Sequence, residues 1–202
     1  GNTAQATAEH ATAIGNKSVA SNVSAIALGR QAQATDENAV ALGADSKADG
    51  HSSFAGAVGS SSAGTRQVSI GHYAGNNTEG SSTPAKPADY AVFIGNYAGS
   101  DAAGKNGNTN GVAIGSEAGR YLQSGSNNTA IGSQAGQYVE GSLNASLGQG
   151  AGKYVKGNNN IAMGTQAGTG TDAEKLEVSN TAAIGNAAKA LTDDSISIGR
   201  DS

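Results

Sequence analysis

The sequence predicts an all-β fold, a parallel β-solenoid built from short stacked coils. Three observations predict it. A tetrapeptide of apolar, small, apolar and glycine residues recurs along the chain, its first copies are 14 residues apart, and the side chains are too small for a thick core. Of the 202 residues 31 are Gly, whereas only 6 Tyr and 2 Phe are aromatic. A globular domain of this length ordinarily buries many large side chains.

The tetrapeptide supplies the first strand of each coil. Clear copies occupy residues 26–29, 40–43, 112–115, 161–164 and 196–199, and a weaker copy ends at Gly56. Alternation of apolar and small residues has a period of two, which is typical of a strand with one buried face. The glycine that follows predicts a sharp turn or a positive φ. The predicted turn glycines are Gly15, Gly29, Gly43, Gly71, Gly95, Gly115, Gly132, Gly148, Gly164, Gly185 and Gly199.

A second element of small residues follows each glycine. Early copies are similar to Ala32-Gln33-Ala34, whereas later ones have the pattern Gly-x-x-Ala-Gly. We therefore expect one domain, residues 1–202, with regular 14-residue coils to about residue 71 and longer coils with loop insertions over 72–202. The spacings are too short for a helical solenoid, and they are not the multiples of six that hexapeptide acyltransferases need.

The larger apolar residues are predicted to face the interior. In one coil this places Val40 and Leu42 against Ser46 and Ala48, and it leaves Ala, Ser, Asn and Thr on the outside. The same reasoning directs Ile114 and Leu147 inward in later coils. Such a coil buries little area, so we expect copies of the chain to associate and bury a second face.

Three tyrosines occupy corresponding places in the long coils. Tyr121, Tyr138 and Tyr154 each follow a Gly-x-x-Ala-Gly segment. They are compatible with a stacked ladder that closes an interface between chains, and equally with a cover over the edge of the solenoid. The pattern leaves both interpretations open.

The repeat resembles the head repeat of YadA-like trimeric autotransporter adhesins. Residues 38–43, Asn-Ala-Val-Ala-Leu-Gly, and residues 194–199, Asp-Ser-Ile-Ser-Ile-Gly, carry the resemblance. The long coils with Gly-x-x-Ala-Gly-x-Tyr are similar to heads of the ubiquitous surface protein A branch. The resemblance implies a left-handed parallel β-roll with three chains per head. It also implies display on the bacterial cell surface, with an outer-membrane anchor that lies outside this chain, and binding to fibronectin, collagen or laminin.

The longest insertion, between Gly71 and Gly95, is the best candidate for a ligand-binding segment, and the alternative is a surface bulge that the solenoid tolerates. The insertion contains both prolines of the chain, which indicates a loop that leaves the solenoid. Its candidate ligand-binding residues are Thr83, Pro84, Lys86, Pro87, Asp89 and Tyr90. The insertions 101–110 and 169–180 are weaker candidates, and a helical turn is expected over 172–176.

Composition excludes most other function classes. The chain has no Cys, its three histidines show no metal-ligand spacing, and a thin solenoid offers no catalytic pocket. We therefore expect no enzyme activity, no cofactor and no metal. A net charge of −4 argues against nucleic acid as a partner. The alternative to an adhesin is a structural spacer, such as a surface or phage tail fibre without a ligand of its own.

Overall fold

A computed structural model describes residues 2–76, 88–101, 108–122 and 124–202. In those residues the strands, numbered in chain order, are β1 (Gln5–Ala6), β2 (Thr12–Ile14), β3 (Val19–Ala20), β4 (Ile26–Leu28), β5 (Gln33–Ala34), β6 (Val40–Leu42), β7 (Lys47–Ala48), β8 (Phe54–Gly56), β9 (Ser61–Ser62), β10 (Val68–Ile70), β11 (Val92–Ile94), β12 (Val112–Ile114), β13 (Thr129–Ile131), β14 (Ala145–Leu147), β15 (Val155–Lys156), β16 (Ile161–Met163), β17 (Leu176–Glu177), β18 (Ala182–Ile184) and β19 (Ile196–Ile198). None of these ranges contains a helix with the length and apolar character needed to cross a lipid bilayer.

Each coil passes once through one long parallel sheet. Its strand order is β2-β4-β6-β8-β10-β11-β12-β13-β14-β16-β18-β19, and β1, β3, β5, β7 and β9 form a second parallel sheet. Strands β15 and β17 pair in a third. The register is constant, so that Val40 lies beside Ile26 and Phe54. Even across the longest insertion Val68 pairs with Val92. The predicted all-β parallel solenoid is confirmed.

The interior is filled by alanine and serine rather than by the large residues. The middle residue of seven of the twelve strands of the long sheet is a buried alanine, such as Ala41, and Ser46 and Ala48 are fully buried. In β11 the middle residue is Phe93, a large side chain that is also buried. Val40 and Leu42 lie on the opposite face of the sheet, and Leu42 is 42% exposed. The predicted inward placement of Val40 and Leu42 is therefore wrong, as is that of Ile114 and Leu147. A coil of about 14 residues leaves room for only small side chains between its strands.

The turn after each strand of the long sheet except β8 contains a glycine, which stacks on the turn of the next coil wherever another coil follows. Every predicted turn glycine has φ between 125° and 139°, a region that residues with a Cβ rarely adopt. A Cβ built on Gly115 would lie 2.6 Å from the carbonyl oxygen of Gly132 in the next coil. Gly56 does not occupy this turn, because it pairs with Leu42 inside β8. Ala57, with φ 102°, takes the turn position, and the repeat of 14 residues continues without interruption.

The long coils have an additional core beside the alanine interior. Leu122, Val139 and Val155 are buried together, and Leu176 packs against them. Leu176 belongs to β17, which pairs with β15. The insertion 169–180 thus adds a strand to the solenoid. The helical turn expected over 172–176 is wrong, since residues 172–174 form bends that lead into β17.

A ladder of buried amides closes the other side of the long coils. Asn144 donates its backbone N–H to Asn128 Oδ1 at 3.0 Å, and its Nδ2 donates to the carbonyl oxygen of Gly157 at 3.0 Å. Asn160 repeats the first contact, donating its N–H to Asn144 Oδ1 at 3.1 Å. The buried residues of this ladder are Asn108, Asn128, Asn144, Asn160 and Thr181. Each asparagine of the ladder donates to a backbone carbonyl oxygen and accepts from a backbone N–H, so that these buried polar groups are paired. Thr181 ends the ladder by donating its hydroxyl to Asn160 Oδ1 at 2.8 Å.

Candidate functional site

The most extensive surface feature is an apolar face on the outside of the long sheet. Because strand side chains alternate, the first and third residues of each strand point away from the alanine interior. The constant register aligns them in two columns. The first column consists of Thr12, Ile26, Val40, Phe54, Val68, Val92, Val112, Thr129, Ala145, Ile161, Ala182 and Ile196. The second consists of Ile14, Leu28, Leu42, Gly56, Ile70, Ile94, Ile114, Ile131, Leu147, Met163, Ile184 and Ile198. We call these two columns the apolar face.

Large side chains of the apolar face are exposed in the single chain. Leu42, Ile70, Ile94, Ile114, Ile131, Leu147 and Met163 are each between 36% and 42% exposed. Twelve strands at about 4.8 Å give this face a length of about 53 Å. Soluble monomers rarely expose a continuous apolar stripe of such a length.

The second column of the apolar face is interrupted at β8. Gly56 stands where the neighbouring strands carry Leu42 and Ile70. The ring of Phe54 lies over it, since a Cβ on Gly56 would come within 2.6 Å of Phe54 Cε1. The aromatic ring thus fills the space that a large residue at position 56 would occupy.

The predicted ligand-binding residues lie at and beyond the base of the longest insertion. Thr83, Pro84, Lys86 and Pro87 fall outside the described residues. Asp89 is described, and its Oδ1 accepts a hydrogen bond of 2.8 Å from the backbone N–H of Thr65. Asp89 therefore helps to hold the re-entering chain against the preceding coil.

Tyr90 is the one aromatic residue of this group, and it is 52% exposed. The Arg66 guanidinium lies over its ring, with Cζ 5.6 Å from the ring centroid, and Nη1 donates to the phenol oxygen at 3.3 Å. The base of the insertion therefore presents an aromatic ring and a cation side by side. Of the insertion 101–110, residues 102–107 lie outside the described residues.

The tyrosines of the long coils form a stack. The ring centroids of Tyr121 and Tyr138 are 4.5 Å apart, and those of Tyr138 and Tyr154 are 4.7 Å apart. The interplanar angles are 12° and 9°. We call these three residues the tyrosine stack. A second, less parallel pair joins Tyr73 and Tyr97, with centroids 5.4 Å apart and planes at 27°.

Arg120 links the two groups of tyrosines. Its Cζ lies 4.6 Å from the ring centroid of Tyr97 and 4.5 Å from that of Tyr121. Its guanidinium also pairs with the buried Asp101, Nη2 to Oδ2 at 2.8 Å. Burial lowers the pKa of Arg120, but the hydrogen bond and charge of Asp101 outweigh that effect and raise it overall. Arg120 therefore stays charged, and its contacts hold the guanidinium against Tyr121 at one end of the tyrosine stack.

Charged side chains on the long coils are largely paired with each other. Lys156 Nζ lies 2.9 Å from Glu177 Oε1, and this hydrogen bond raises the pKa of Lys156. Lys175 forms a further ion pair with Glu140. In the described ranges, no three His, Asp or Glu side chains gather as metal ligands would.

Comparisons with known proteins bear on the narrow coils at both ends of the chain. A family described as "YadA head domain repeat (2 copies)" matches residues 1–18, 20–46, 37–56 and 179–202. No similar sequence was found among curated proteins. The matched segments include β2, β4, β6, β8 and β19 of the apolar face. These four segments are similar to YadA head domain repeats, a family of surface-exposed adhesin domains that are not enzymes.

Proposed function

We propose that residues 1–202 form the head domain of a trimeric adhesin that attaches a bacterium to host extracellular matrix. The apolar face is the observation that carries this proposal. It gives the chain a self-complementary surface about 53 Å long, and it is continuous with segments that match YadA head domain repeats. The proposed assembly has three chains, each a left-handed roll, with their apolar faces directed towards a common axis.

The energetics of the single chain favour such an assembly. Its interior holds mostly alanine and serine, so that each coil gains little from burial. Apart from the small core of Leu122, Val139 and Val155, most of the larger aliphatic side chains lie on the apolar face, where they are fully covered only when copies meet. Association therefore supplies the hydrophobic stabilisation that other domains obtain from their own core.

Host ligands would then meet the surfaces that remain exposed. A repetitive lateral surface in three copies favours an extended partner, held through many weak contacts. The base of the longest insertion adds Tyr90 and Arg66, a pair suited to apolar and acidic groups of a protein ligand. Fibronectin, collagen and laminin are the proposed ligand class, and Asp89 with residues 83–87 lies in the same segment.

We also propose where the head sits in the cell. It would be displayed at the bacterial surface and held in the outer membrane by a region outside this chain. The long coils with their Gly-x-x-Ala-Gly segments and tyrosines support an assignment to the ubiquitous surface protein A branch. No nucleic acid, cofactor or metal is part of the proposal.

Two measurements test this function. Light scattering should give three times the chain mass of 19.6 kDa. Solid-phase titration of that material against fibronectin, collagens and laminin should then show saturable binding to one of them. The matched variant replaces residues 77–87 by a Gly-Ser linker and Tyr90 by Ala. Reduced binding by this variant with unchanged mass would place the ligand at the insertion. A trimer that binds none of the three would instead favour the structural spacer.

A further inference from the structure

The tyrosine stack holds phenol rings of neighbouring coils in fixed face-to-face contact. Tyr138 is the middle ring, 4.5 Å from Tyr121 and 4.7 Å from Tyr154. All three have φ near 60° and occupy the same turn in successive coils, so the backbone sets the distance between rings. All three rings are also half-buried, which leaves part of each in contact with solvent.

Such a contact favours one covalent reaction. A haem peroxidase with hydrogen peroxide takes one electron from each of two phenols, and each phenol loses its proton to water. The two phenoxyl radicals then form a carbon–carbon bond between ring positions ortho to the oxygens. The two ring protons at those positions are lost as aromaticity returns and the oxygens are protonated again. One hydrogen peroxide becomes two waters, and the pair of tyrosines loses two hydrogen atoms.

We propose that the tyrosine stack is a site of oxidative cross-linking, at which Tyr138 couples to Tyr121 or Tyr154 within one chain. Holding two reactants in contact raises their effective concentration far above that of separate molecules. The chain has no Cys, so a disulfide cannot join its coils. A dityrosine bond would supply that covalent link, and it would close a loop of one coil. This inference stands independently of the adhesin proposal, because it needs only the folded single chain.

The test treats the whole chain with horseradish peroxidase and hydrogen peroxide and follows dityrosine fluorescence. Trypsin after denaturation separates the two possible products. A Tyr121–Tyr138 link stays inside the peptide 121–153, whereas a Tyr138–Tyr154 link joins that peptide to 154–156. We expect one of these products, with the denatured chain still running as a single chain. We also expect a higher thermal unfolding midpoint after treatment.

Three variants make the result decisive. Tyr138→Phe should lower the dityrosine yield in these peptides about tenfold or more, since it leaves no two adjacent phenols in the stack. The double variant Tyr121→Phe with Tyr154→Phe should do the same, and it serves if Tyr138→Phe does not fold by circular dichroism. Tyr90→Phe is the control, because Tyr90 is the most exposed tyrosine and lies outside the stack. Products that join separate chains through Tyr90, or an unchanged yield in Tyr138→Phe, would overturn the proposal.

Discussion

Ile114→Asp is the substitution that separates the apolar face from the alanine interior most sharply. Ile114 is 36% exposed in the single chain, whereas the adjacent Ala113 is fully buried. A carboxylate at position 114 can point to solvent in one chain, but in the proposed trimer three carboxylates would be enclosed together. We therefore expect the variant to keep its solenoid and lose its association.

The expected loss of association free energy follows from the exposed fraction of the Ile114 side chain. Burying a whole isoleucine side chain stabilises by about 1.5–3 kcal/mol, so the 36% still exposed at Ile114 is worth about 0.5–1 kcal/mol per chain. Three chains give about 2–3 kcal/mol, which is about a hundredfold in the association constant. The enclosed carboxylates add a desolvation penalty of several kcal/mol each unless they take up protons.

Sedimentation velocity and far-ultraviolet circular dichroism measure the two effects separately. The control is Ser116→Asp, which adds the same charge on an exposed turn two residues away. We expect a folded single chain for Ile114→Asp and an undisturbed assembly for Ser116→Asp. A stable trimer of Ile114→Asp would refute the assignment of the apolar face as the contact between chains.

Three further substitutions probe the turn, the interior and the tyrosine stack. Gly115→Ala should lower the free energy of unfolding, measured in urea, by about 3 kcal/mol or more, because φ is 133° and the new Cβ would meet the carbonyl oxygen of Gly132 at 2.6 Å. An unchanged unfolding midpoint would contradict the turn geometry. Ser53→Ala should raise the free energy of unfolding by about 1 kcal/mol in the same assay, since in the described structure the buried Oγ has no hydrogen-bond partner. A lower free energy of unfolding would indicate that the hydroxyl does have a partner. The pKa of Tyr154 is raised above 10.0 by burial and by the charges of Asp172 and Tyr138. The neutral phenol therefore stabilises the folded chain fully below pH 10.0, and this stabilisation is lost as the pH rises through the raised pKa. Between neutral pH and a pH above 10.0, the free energy of unfolding should fall less for Tyr154→Phe than for the parent chain. An equal fall in both would contradict this linkage between pH and stability.

The period of the sequence was sufficient to predict the coils. The apolar-small-apolar-glycine pattern indicates the strand and its turn, and glycine is the residue that most readily adopts the positive φ seen at Gly43 and Gly115. The direction of the side chains was not predictable in the same way. A strand such as β6 has one small and one large face, and the usual rule places the large one inside. That rule fails here because the coil is too narrow, and because the large face is suited to covering by another chain.

The amide ladder and the Ala57 turn were missed for different reasons. Asn128, Asn144 and Asn160 each stand directly before a strand of the long sheet, and this recurrence was the available signal. Their composition is also typical of exposed turns, so only the contacts distinguish a buried ladder from a solvated loop. At Ala57 the presence of Gly56 one residue earlier shifted the predicted turn. Strand pairing fixes the turn at Ala57, since Gly56 aligns with Leu42.

The constant register of the long sheet also bears on how such a chain can change length in evolution. Each strand contacts mainly the strands of the two adjacent coils, as Ala113 does with Phe93 and Ala130. Duplication or loss of one whole coil therefore restores the same neighbours and changes the length by about 4.8 Å. Gain or loss of one residue inside a strand instead turns isoleucines into the alanine interior. This architecture thus permits recombination in whole repeats, and it permits insertions at corners such as the one between Val68 and Val92.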